Sequence, residues 1–377
     1  MCSLYIHIPY CERKCMYCDF YSTENHETID KFLNALHQDI DLNKNYGEME
    51  KYQTIYFGGG TPSLLKPEQI EEIIDHLEQS YTVAQDLEIT MEVNPGTVDR
   101  EKLEGYRSAG INRLSIGVQS FDDKDLHFLT RIHTSKEATR SIILARECGF
   151  DNLSIDLIYA LPDQELSNWE TTLLKAISFK PEHISAYSLI VEENTLLAAS
   201  VSTGRISPLS IEDDATMYEL TMEMMLENGY EHYEVSNYAK PGYHSRHNTN
   251  YWNHSNYLGF GPSAHSYWAG RRWWNIRDIE EYCRRITRGV LLIDGEELLT
   301  DHQLLDETVM LGLRTGVLDI SYLKKRFKIK FTDELQSIMK QSLSDKLAIM
   351  EGDILRLTNK GFLVCDELSQ RILSAIQ

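Results

Sequence analysis

Long apolar runs are missing from this sequence. No stretch approaches 18 consecutive apolar residues, and the opening MCSLYIHIPY has no basic segment followed by an apolar run. A membrane-spanning helix needs about 18 to 20 apolar residues, and a secretory signal needs both of those segments. We therefore expect a cytoplasmic protein with no transmembrane segment, for which a peripheral membrane contact stays open.

Positive charge is also scarce. Asp and Glu number 58 against 37 Lys and Arg, which gives a formal net charge of −21 at pH 7. Nucleic acids carry a dense row of phosphates, and a surface of the same sign repels them. The composition therefore argues against a nucleic-acid partner.

Cysteines are few, and most of them stand alone. The chain has 7, and four are scattered singly, at Cys2, Cys148, Cys283 and Cys365. Scattered cysteines in a reducing compartment are usually small core residues. The other three, Cys11, Cys15 and Cys18, lie together in the segment CERKCMYC and need a different explanation.

Three clustered thiols suit neither a disulfide, which needs two, nor a structural zinc site, which normally needs four. A 4Fe–4S cluster normally takes four cysteines, so three would leave one iron with an open coordination position. The spacing CxxxCxxC after a first strand pattern resembles the signature of radical S-adenosylmethionine (SAM) enzymes, in which SAM binds that iron. The alternatives are a partial zinc site completed by a distant histidine, and reduced structural thiols.

Short β-rich runs alternate with helical patterns through the first half of the chain. The runs are LYIHI (4–8), TIYFG (54–58), EITMEV (88–93), RLSIGV (113–118), LSIDLIY (153–159) and ISAYSL (184–189). Such alternation predicts right-handed parallel β/α units in one curved sheet. Because a closed barrel needs eight units, six predict an α/β fold with an open, partial (β/α)6 barrel of TIM type.

Within these runs, one strand face is apolar and the other is polar or very small. In RLSIGVQ the residues at 114, 116 and 118 are apolar, whereas Ser115, Gly117 and Gln119 are polar or small. Glu92 and Asp156 occupy the corresponding face of two other runs. Because a parallel strand buried on both faces is apolar throughout, the alternation predicts a lumen that holds a polar ligand. A water-filled groove is the alternative.

A glycine triplet follows the second run, in YFGGGTPS, and is succeeded by Thr61. Glycine lets a ligand approach the backbone closely, and barrels of β/α units gather their active sites at the carboxyl ends of the strands. Arg131 follows the fourth run, and we expect it to pair with the SAM carboxylate; a surface salt bridge is the alternative.

The pattern changes after the barrel. We predict a barrel over residues 1–230, an aromatic and histidine-rich segment over 231–299, and a mainly helical domain of winged-helix type over 300–377. The acidic balance favours a scaffold role over DNA binding for the last domain.

Motifs along essentially the whole chain resemble one family. LYIHIPYCERKCMYC, GGGTPS, EVNPG, RLSIGVQSF, LTRIHT, IDLIYALP, YEVSNYAKPGYHSRHNTNYW and GFGPSAH are similar to segments of radical SAM proteins related to oxygen-independent coproporphyrinogen III oxidase, specifically HemW-type haem chaperones. The resemblance implies a partial (β/α)6 barrel with a 4Fe–4S cluster and SAM. It implies cluster ligation by Cys11, Cys15 and Cys18, and contacts to SAM or the cluster from Tyr5, Tyr17, Gly59, Gly60, Thr61, Glu92, Gln119, Arg131, Asp156 and Ile190.

Two departures separate the chain from the oxidase. The oxidase carries CxxxCxxCxC, whereas Phe20 stands two positions after Cys18 here. The oxidase also has a long N-terminal arm that helps to enclose its active site, and this chain begins just before its first strand pattern. Both departures argue against oxidative decarboxylation, which requires exclusion of water.

The segment HNTNYW (247–252) resembles a haem-binding motif of the HemW type. The resemblance implies that His247 is a haem ligand, because imidazole is a good axial ligand for haem iron, with Tyr251 and Trp252 packed on the macrocycle. A hydrogen-bonded loop histidine is the alternative, and His244 and His254 are rival ligands.

The function we expect is that of a haem chaperone, which passes haem to an apo-cytochrome or another haem-accepting protein. We assign no catalytic residue. The alternative is an oxygen-independent coproporphyrinogen III oxidase. Whether the protein is a monomer or a homodimer stays open.

Overall fold

The computed structural model describes residues 2–47, 50–290, 292–330 and 332–376. Its strands are β1 (Cys2–Ile8), β2 (Tyr52–Gly59), β3 (Val83–Val93), β4 (Arg113–Gln119), β5 (Leu153–Tyr159), β6 (His183–Ser188), β7 (Glu231–Glu234), β8 (Asn237–Ala239), β9 (Asn256–Phe260), β10 (His265–Trp268), β11 (Arg271–Asn275), β12 (Ile293–Leu298), β13 (Val317–Asp319), β14 (Ala348–Glu351) and β15 (Ile354–Leu357). Its helices are α1 (Ile29–Asn43), α2 (Pro67–Ser80), α3 (Arg100–Ser108), α4 (Asp123–Phe128), α5 (Ser135–Glu147), α6 (Leu166–Ser178), α7 (Leu196–Ser202), α8 (Ile211–Glu227), α9 (Arg246–Trp252), α10 (Ile279–Thr287), α11 (Asp301–Arg314), α12 (Ile320–Phe327), α13 (Asp333–Ser344), α14 (Asn359–Phe362) and α15 (Cys365–Ile376).

Strands β1 to β6 lie side by side in chain order, and each pairs in parallel with the next. Helices connect them, as parallel pairing requires. The prediction of an α/β fold with parallel β/α units in a partial barrel is therefore confirmed.

The outer face of this sheet is apolar because the helices pack against it. In β4, Leu114, Ile116 and Val118 are buried in the main core. Helix α2 presents Ile70, Ile73, Ile74 and Leu77 to the same core, at the spacing that aligns side chains along one face of a helix. The opposite face of the strands is left free to line the lumen.

The segment 231–299 extends both edges of the barrel sheet. Strand β8 pairs antiparallel with β6, and β9 pairs in parallel with β1. Strands β10 to β12 continue outward from β9. Because an open barrel exposes two unpaired edges, this segment satisfies backbone groups that β1 and β6 would otherwise leave free.

The last part of the chain is mainly helical, as predicted, and adds a small antiparallel sheet in the order β13-β15-β14. It has its own core, which includes Leu313, Leu355 and Ile372. The Val235 amide donates to the Arg314 carbonyl at 2.9 Å, and the Phe362 ring lies 4.1 Å from the His232 ring. The domain therefore docks on the β7–β8 hairpin.

Over the residues that the structure describes, no helix combines the length and the apolar character needed to cross a membrane.

Candidate functional site

A cavity of about 570 Å³ fills the barrel lumen and opens beside the cysteine segment. It brings together most of the residues singled out from the sequence. Those on its wall are Cys11, Cys15, Tyr17, Cys18, Gly59, Gly60, Thr61, Glu92, Gln119, Arg131, Asp156 and Ile190. The lumen predicted from strand alternation is thus present, and its lining is polar at the positions expected.

The segment that carries the cysteines follows β1 and then folds back, so that its last residues lie beside its first ones. The Cys11 amide donates to the Thr23 carbonyl at 3.0 Å, and the Thr23 amide donates to the Pro9 carbonyl at 2.7 Å. The Met16 amide donates to the Thr130 hydroxyl at 3.0 Å, which ties the segment to the loop after α4. Protein contacts therefore fix where the thiols lie.

The three thiols are unpaired and each faces the lumen. The Thr61 hydroxyl donates to the Cys11 sulfur at 3.6 Å, and the Arg131 guanidinium donates to the Cys15 sulfur at 3.6 Å. Within the described ranges, no three His, Cys, Asp or Glu side chains converge on a point that would hold a single metal ion. Three separate thiols with donors beside them fit a 4Fe–4S cluster, in which each thiolate binds a different iron.

The glycine triplet presses the end of β2 against the cysteine segment. The Gly60 amide donates to the Ile8 carbonyl at 2.8 Å, and a Cβ at Gly60 would lie 2.5 Å from the Tyr10 carbonyl oxygen. Gly59 has a φ of +105°, and a Cβ there would meet the His7 ring at 2.5 Å. Only glycine permits this approach.

Arg131 connects the cysteine segment to the lumen wall. Its Nη2 donates to the Gly117 carbonyl at 2.9 Å and also to the Asn94 side chain. Its Nε is buried and has no hydrogen-bond partner in the structure. The Arg131 side chain thus lines the lumen and does not take part in a surface salt bridge. Its Nε is a free donor for an anionic group.

Two carboxylates, Glu92 on β3 and Asp156 on β5, line the lumen from strands that flank β4. Burial raises the pKa of Glu92 to about 7. The hydrogen bond that the Tyr56 hydroxyl donates to it at 2.9 Å acts in the opposite direction and has a smaller effect. Burial also raises the pKa of Asp156, although the Ser115 hydroxyl contacts both of its oxygens, at 3.0 and 2.8 Å. The negative charge of Asp156 adds to the shift at Glu92. A cationic, hydroxyl-bearing ligand would relieve this repulsion.

Gln119 and Ile190 lie at the mouth of the lumen. Gln119 follows a register shift in β4 and has a φ of 65°, a conformation that non-glycine residues adopt rarely. Ile190, just after β6, is 65% exposed. A Cβ on Gly117 would lie 3.0 Å from the side-chain nitrogen of Gln119, so the Gln119 side chain lies on the lumen side of β4.

Tyr5 and His247 are the two predicted site residues that do not line this cavity. The Tyr5 hydroxyl lies 3.2 Å from His7 Nδ1, and its ring centroid is 6.2 Å from that of Tyr56. Tyr5 also lies 3.1 Å from the position of a Cβ on Gly58. Tyr5 thus packs beside Tyr56, its cross-strand neighbour on β2, on the same face of the sheet.

His247 is 1% exposed and lies at the end of the lumen opposite the cysteines. Its Nδ1 is 2.7 Å from the Thr54 hydroxyl and its Nε2 is 2.8 Å from the Tyr251 hydroxyl. Burial, with a smaller effect from the charge of Arg113, lowers its pKa to about 3. Both ring nitrogens are engaged, so binding a metal would require one of these hydrogen bonds to break.

The rival histidines contact carboxylates near the surface. His244 Nε2 is 2.8 Å from a Glu231 oxygen, and His254 Nε2 is 2.9 Å from a Glu307 oxygen.

Several lining residues were not singled out from the sequence, namely Tyr56, Asn94, Arg113, Ser185 and Tyr187. Arg113 shares the strand alternation of Ser115 and Gln119, so the pattern in RLSIGVQ contains the signal for it.

Comparison with known proteins agrees with this geometry. Residues 5–176 match the model of the radical SAM superfamily. The chain is 38% identical to the heme chaperone HemW of Bacillus subtilis (strain 168), over 98% of both chains, and 42% identical to that of Escherichia coli (strain K12), over 70% of this chain and 69% of the other. Among solved structures, coproporphyrinogen III oxidase (HemN) from Escherichia coli matches with a TM-score of 0.84 at 23% identity, over 98% of this chain and 89% of the other, and supports the fold. The chain belongs to the HemW family of the radical SAM superfamily.

Proposed function

We propose that this protein is a cytoplasmic haem chaperone, which binds haem and passes it to an apo-cytochrome or a similar acceptor. The observation that carries the proposal is the similarity to a heme chaperone HemW over 98% of both chains. Phe20 also favours a chaperone, because the oxidase has a cysteine two residues after the third cluster ligand.

The lumen residues would hold a 4Fe–4S cluster and SAM. Cys11, Cys15 and Cys18 would bind three irons of the cluster, and Arg131 would bind the SAM carboxylate through its free Nε. Such a cluster supplies an electron to bound SAM. Glu92 and Asp156 would accept hydrogen bonds from the ribose and attract the sulfonium, while the glycine backbone would lie against the methionyl part.

Haem is the cargo, and His247 would be its axial ligand. The supporting features are the HNTNYW motif and the two aromatic residues that end it. Because Thr54 and Tyr251 hold both ring nitrogens, we expect haem to replace one of these two hydroxyls. The contact with Tyr251 is the easier one to release, since both residues lie on α9, which ends one residue later.

The second candidate function is coproporphyrinogen III oxidation. The lumen residues expected to hold a cluster and SAM favour it, because the oxidase is itself a radical SAM enzyme. The likeness to the solved oxidase, at 23% identity, supports the fold and not the activity.

The test is anaerobic reconstitution with iron, sulfide, SAM and reductant. Haem binding is followed by absorbance, and transfer by the appearance of the acceptor's own haem spectrum. Coproporphyrinogen is offered in a parallel reaction. Haem uptake with transfer and no porphyrinogen turnover would support the chaperone, whereas conversion to protoporphyrinogen at useful rates would replace it with the oxidase.

A further inference from the structure

The floor of the lumen contains a buried arginine without a close counter-charge. Arg113 begins β4, is 2% exposed and lines the cavity. Among the described residues, no carboxylate oxygen lies within 4.0 Å of its guanidinium. Its Nε is buried and has no hydrogen-bond partner. A buried cation that is neither paired nor hydrogen-bonded is costly, so the arrangement calls for an anionic group.

A second unpartnered polar group lies beside it. Thr90 on β3 is the direct cross-strand neighbour of Arg113, and its side chain is on the lumen side, as that of Glu92 is. The Thr90 hydroxyl is buried and also lacks a hydrogen-bond partner. Asn248 of α9 adds a carboxamide to the same cavity. A guanidinium next to a hydroxyl offers several donors to one acceptor group.

The charged and titratable groups around the floor are engaged with other partners. Glu88, two residues before Thr90 on β3, accepts hydrogen bonds from the backbone amides of Arg246 and His247. His183 is held between the Ser154 hydroxyl at 2.8 Å and the Tyr233 hydroxyl at 2.7 Å. Burial, with a smaller effect from the charge of Arg113, lowers the pKa of His183. Asp156 attracts Arg113 electrostatically but already accepts hydrogen bonds from Ser115. Neither Glu88 nor Asp156 has an oxygen within 4.0 Å of the Arg113 guanidinium, and the Nε donor of Arg113 stays free for a ligand.

This floor is separate from the mouth of the lumen. Gln119 at the rim is six residues farther along β4, which corresponds to about 20 Å of extended strand. Arg131 lies at the rim, against Cys15. Arg131 also contacts the Gly117 carbonyl, which is four residues or about 13 Å of extended strand beyond Arg113, so a ligand group held by Arg131 lies well away from Arg113.

We propose that Arg113 and Thr90 form a carboxylate-binding site at the lumen floor. A planar guanidinium binds a carboxylate through two parallel hydrogen bonds, and the Thr90 hydroxyl donates a third. Two kinds of molecule would bring such a group to the floor: a free organic acid, and haem through its propionates. The single carboxylate of SAM is proposed above to bind Arg131, so SAM is a rival outcome of the test. The haem and SAM sources rest on the proposed function, and the free organic acid does not.

The first experiment measures the free carboxylate. Acetate and its neutral analogue acetamide are titrated into the full-length protein by calorimetry and by thermal unfolding. We expect acetate, and not acetamide, to bind and to raise the unfolding temperature. R113Q should weaken acetate binding at least about tenfold, and R113K, which keeps the charge, should weaken it less. R140Q, an exposed arginine of α5, is the matched control and should bind as the parent does.

If R113Q does not fold, the variant T90V still tests whether this site binds a carboxylate. Without acetate, T90V should unfold at the same temperature as the parent or higher, because it removes a buried hydroxyl without a partner. It should lose part of the stabilisation by acetate. The proposal is overturned if the parent does not distinguish acetate from acetamide, or if R113Q and T90V both respond to acetate as R140Q does.

The second experiment identifies the source of the carboxylate. Haem is compared with its dimethyl ester, and SAM binding is measured in parallel, on the parent and R113Q. If haem supplies the carboxylate, the dimethyl ester should bind the parent more weakly than haem does, and R113Q should bind both equally. If SAM supplies it, R113Q should bind SAM more weakly than the parent does. If neither changes while acetate binding depends on Arg113, the occupant is a free organic acid. Failure of the parent to bind haem would reject the chaperone function and leave the acetate result intact.

Discussion

At the residue scale, the cysteines divide into two groups by their surroundings. Cys11, Cys15 and Cys18 face the lumen, whereas Cys2 and Cys283 belong to the main apolar core and Cys365 is buried in the C-terminal domain. The sequence separates these groups because ligand spacing is local along the chain. It does not reveal the donors of Thr61 and Arg131 beside the sulfurs, which come from distant segments.

Serine at a cluster position should abolish cluster binding. Replacing Cys11, Cys15 or Cys18 with serine removes the thiolate that iron prefers, so we expect loss of the broad brown absorbance and of bound iron and sulfide after anaerobic reconstitution. C148S, C283S and C365S are the controls and should keep full iron content. Loss of iron in a control variant but not in the three lumen variants would contradict the assignment.

The close approach at Gly60 should make its substitution destabilising. In G60A the new Cβ would lie 2.5 Å from the Tyr10 carbonyl oxygen, which is backbone and cannot rotate away. We expect G60A to lower the free energy of unfolding by about 1–3 kcal/mol, measured by urea denaturation. G204A is the comparison, since Gly204 has a φ of +69° and nothing within 4 Å of a Cβ, so only the backbone strain of about 1 kcal/mol applies. Equal stability of G60A and the parent would mean that the two loops separate easily.

At the scale of elements, the alternation of polar and apolar residues along a strand predicts which of its side chains line the lumen. Because side chains alternate with period two, the polar face of β4 can be assigned from seven residues alone. The placement of α9 cannot, since its contacts with Thr54 and Glu88 span 193 and 159 residues. His247 is therefore recognisable as a motif residue, while its burial under the barrel depends on packing between distant segments.

Asp39 of α1 joins the barrel to the elements that follow it. It accepts hydrogen bonds from the Gly261 amide at 3.1 Å and from the Tyr282 hydroxyl of α10 at 2.9 Å. Burial raises its pKa from 3.8 to about 7. The folded state therefore holds this proton more tightly than the unfolded state, and the contribution of Asp39 to stability decreases as pH rises from about 4 to about 7.

D39N should remove this pH dependence. An asparagine does not titrate. The free energy of unfolding of D39N should therefore rise relative to that of the parent as pH rises, by at most about 1.4 kcal/mol per pH unit. Urea denaturation at several pH values between about 4 and 8 measures it. D30N, at an exposed position in the first turn of α1, serves as the control. A constant difference across this range would show that Asp39 ionises normally.

At the scale of the whole molecule, the C-terminal domain contacts the main core through Phe362, with Leu357 and Leu363 packed beside it. Phe362 lies against His232 at 4.1 Å and belongs to the main core, although its helix, α14, is part of the C-terminal domain. A Cβ on Gly316 would lie 2.6 Å from the same ring. The Phe362 ring thus packs between the barrel and the C-terminal domain.

F362A should loosen the C-terminal domain and spare the lumen. Removing a buried phenylalanine side chain costs about 3–5 kcal/mol in a well-packed core, and here the loss falls on the contact between the two units. We expect faster amide hydrogen exchange in α11 and α15 and a separate unfolding transition for the domain, with cluster content unchanged. I349A, at a half-exposed position of β14, controls for damage within the domain itself. Since Phe362 lies on the β7 side of the barrel and the cysteines lie at its mouth, loss of the cluster in F362A would mean that the docked domain also supports the lumen.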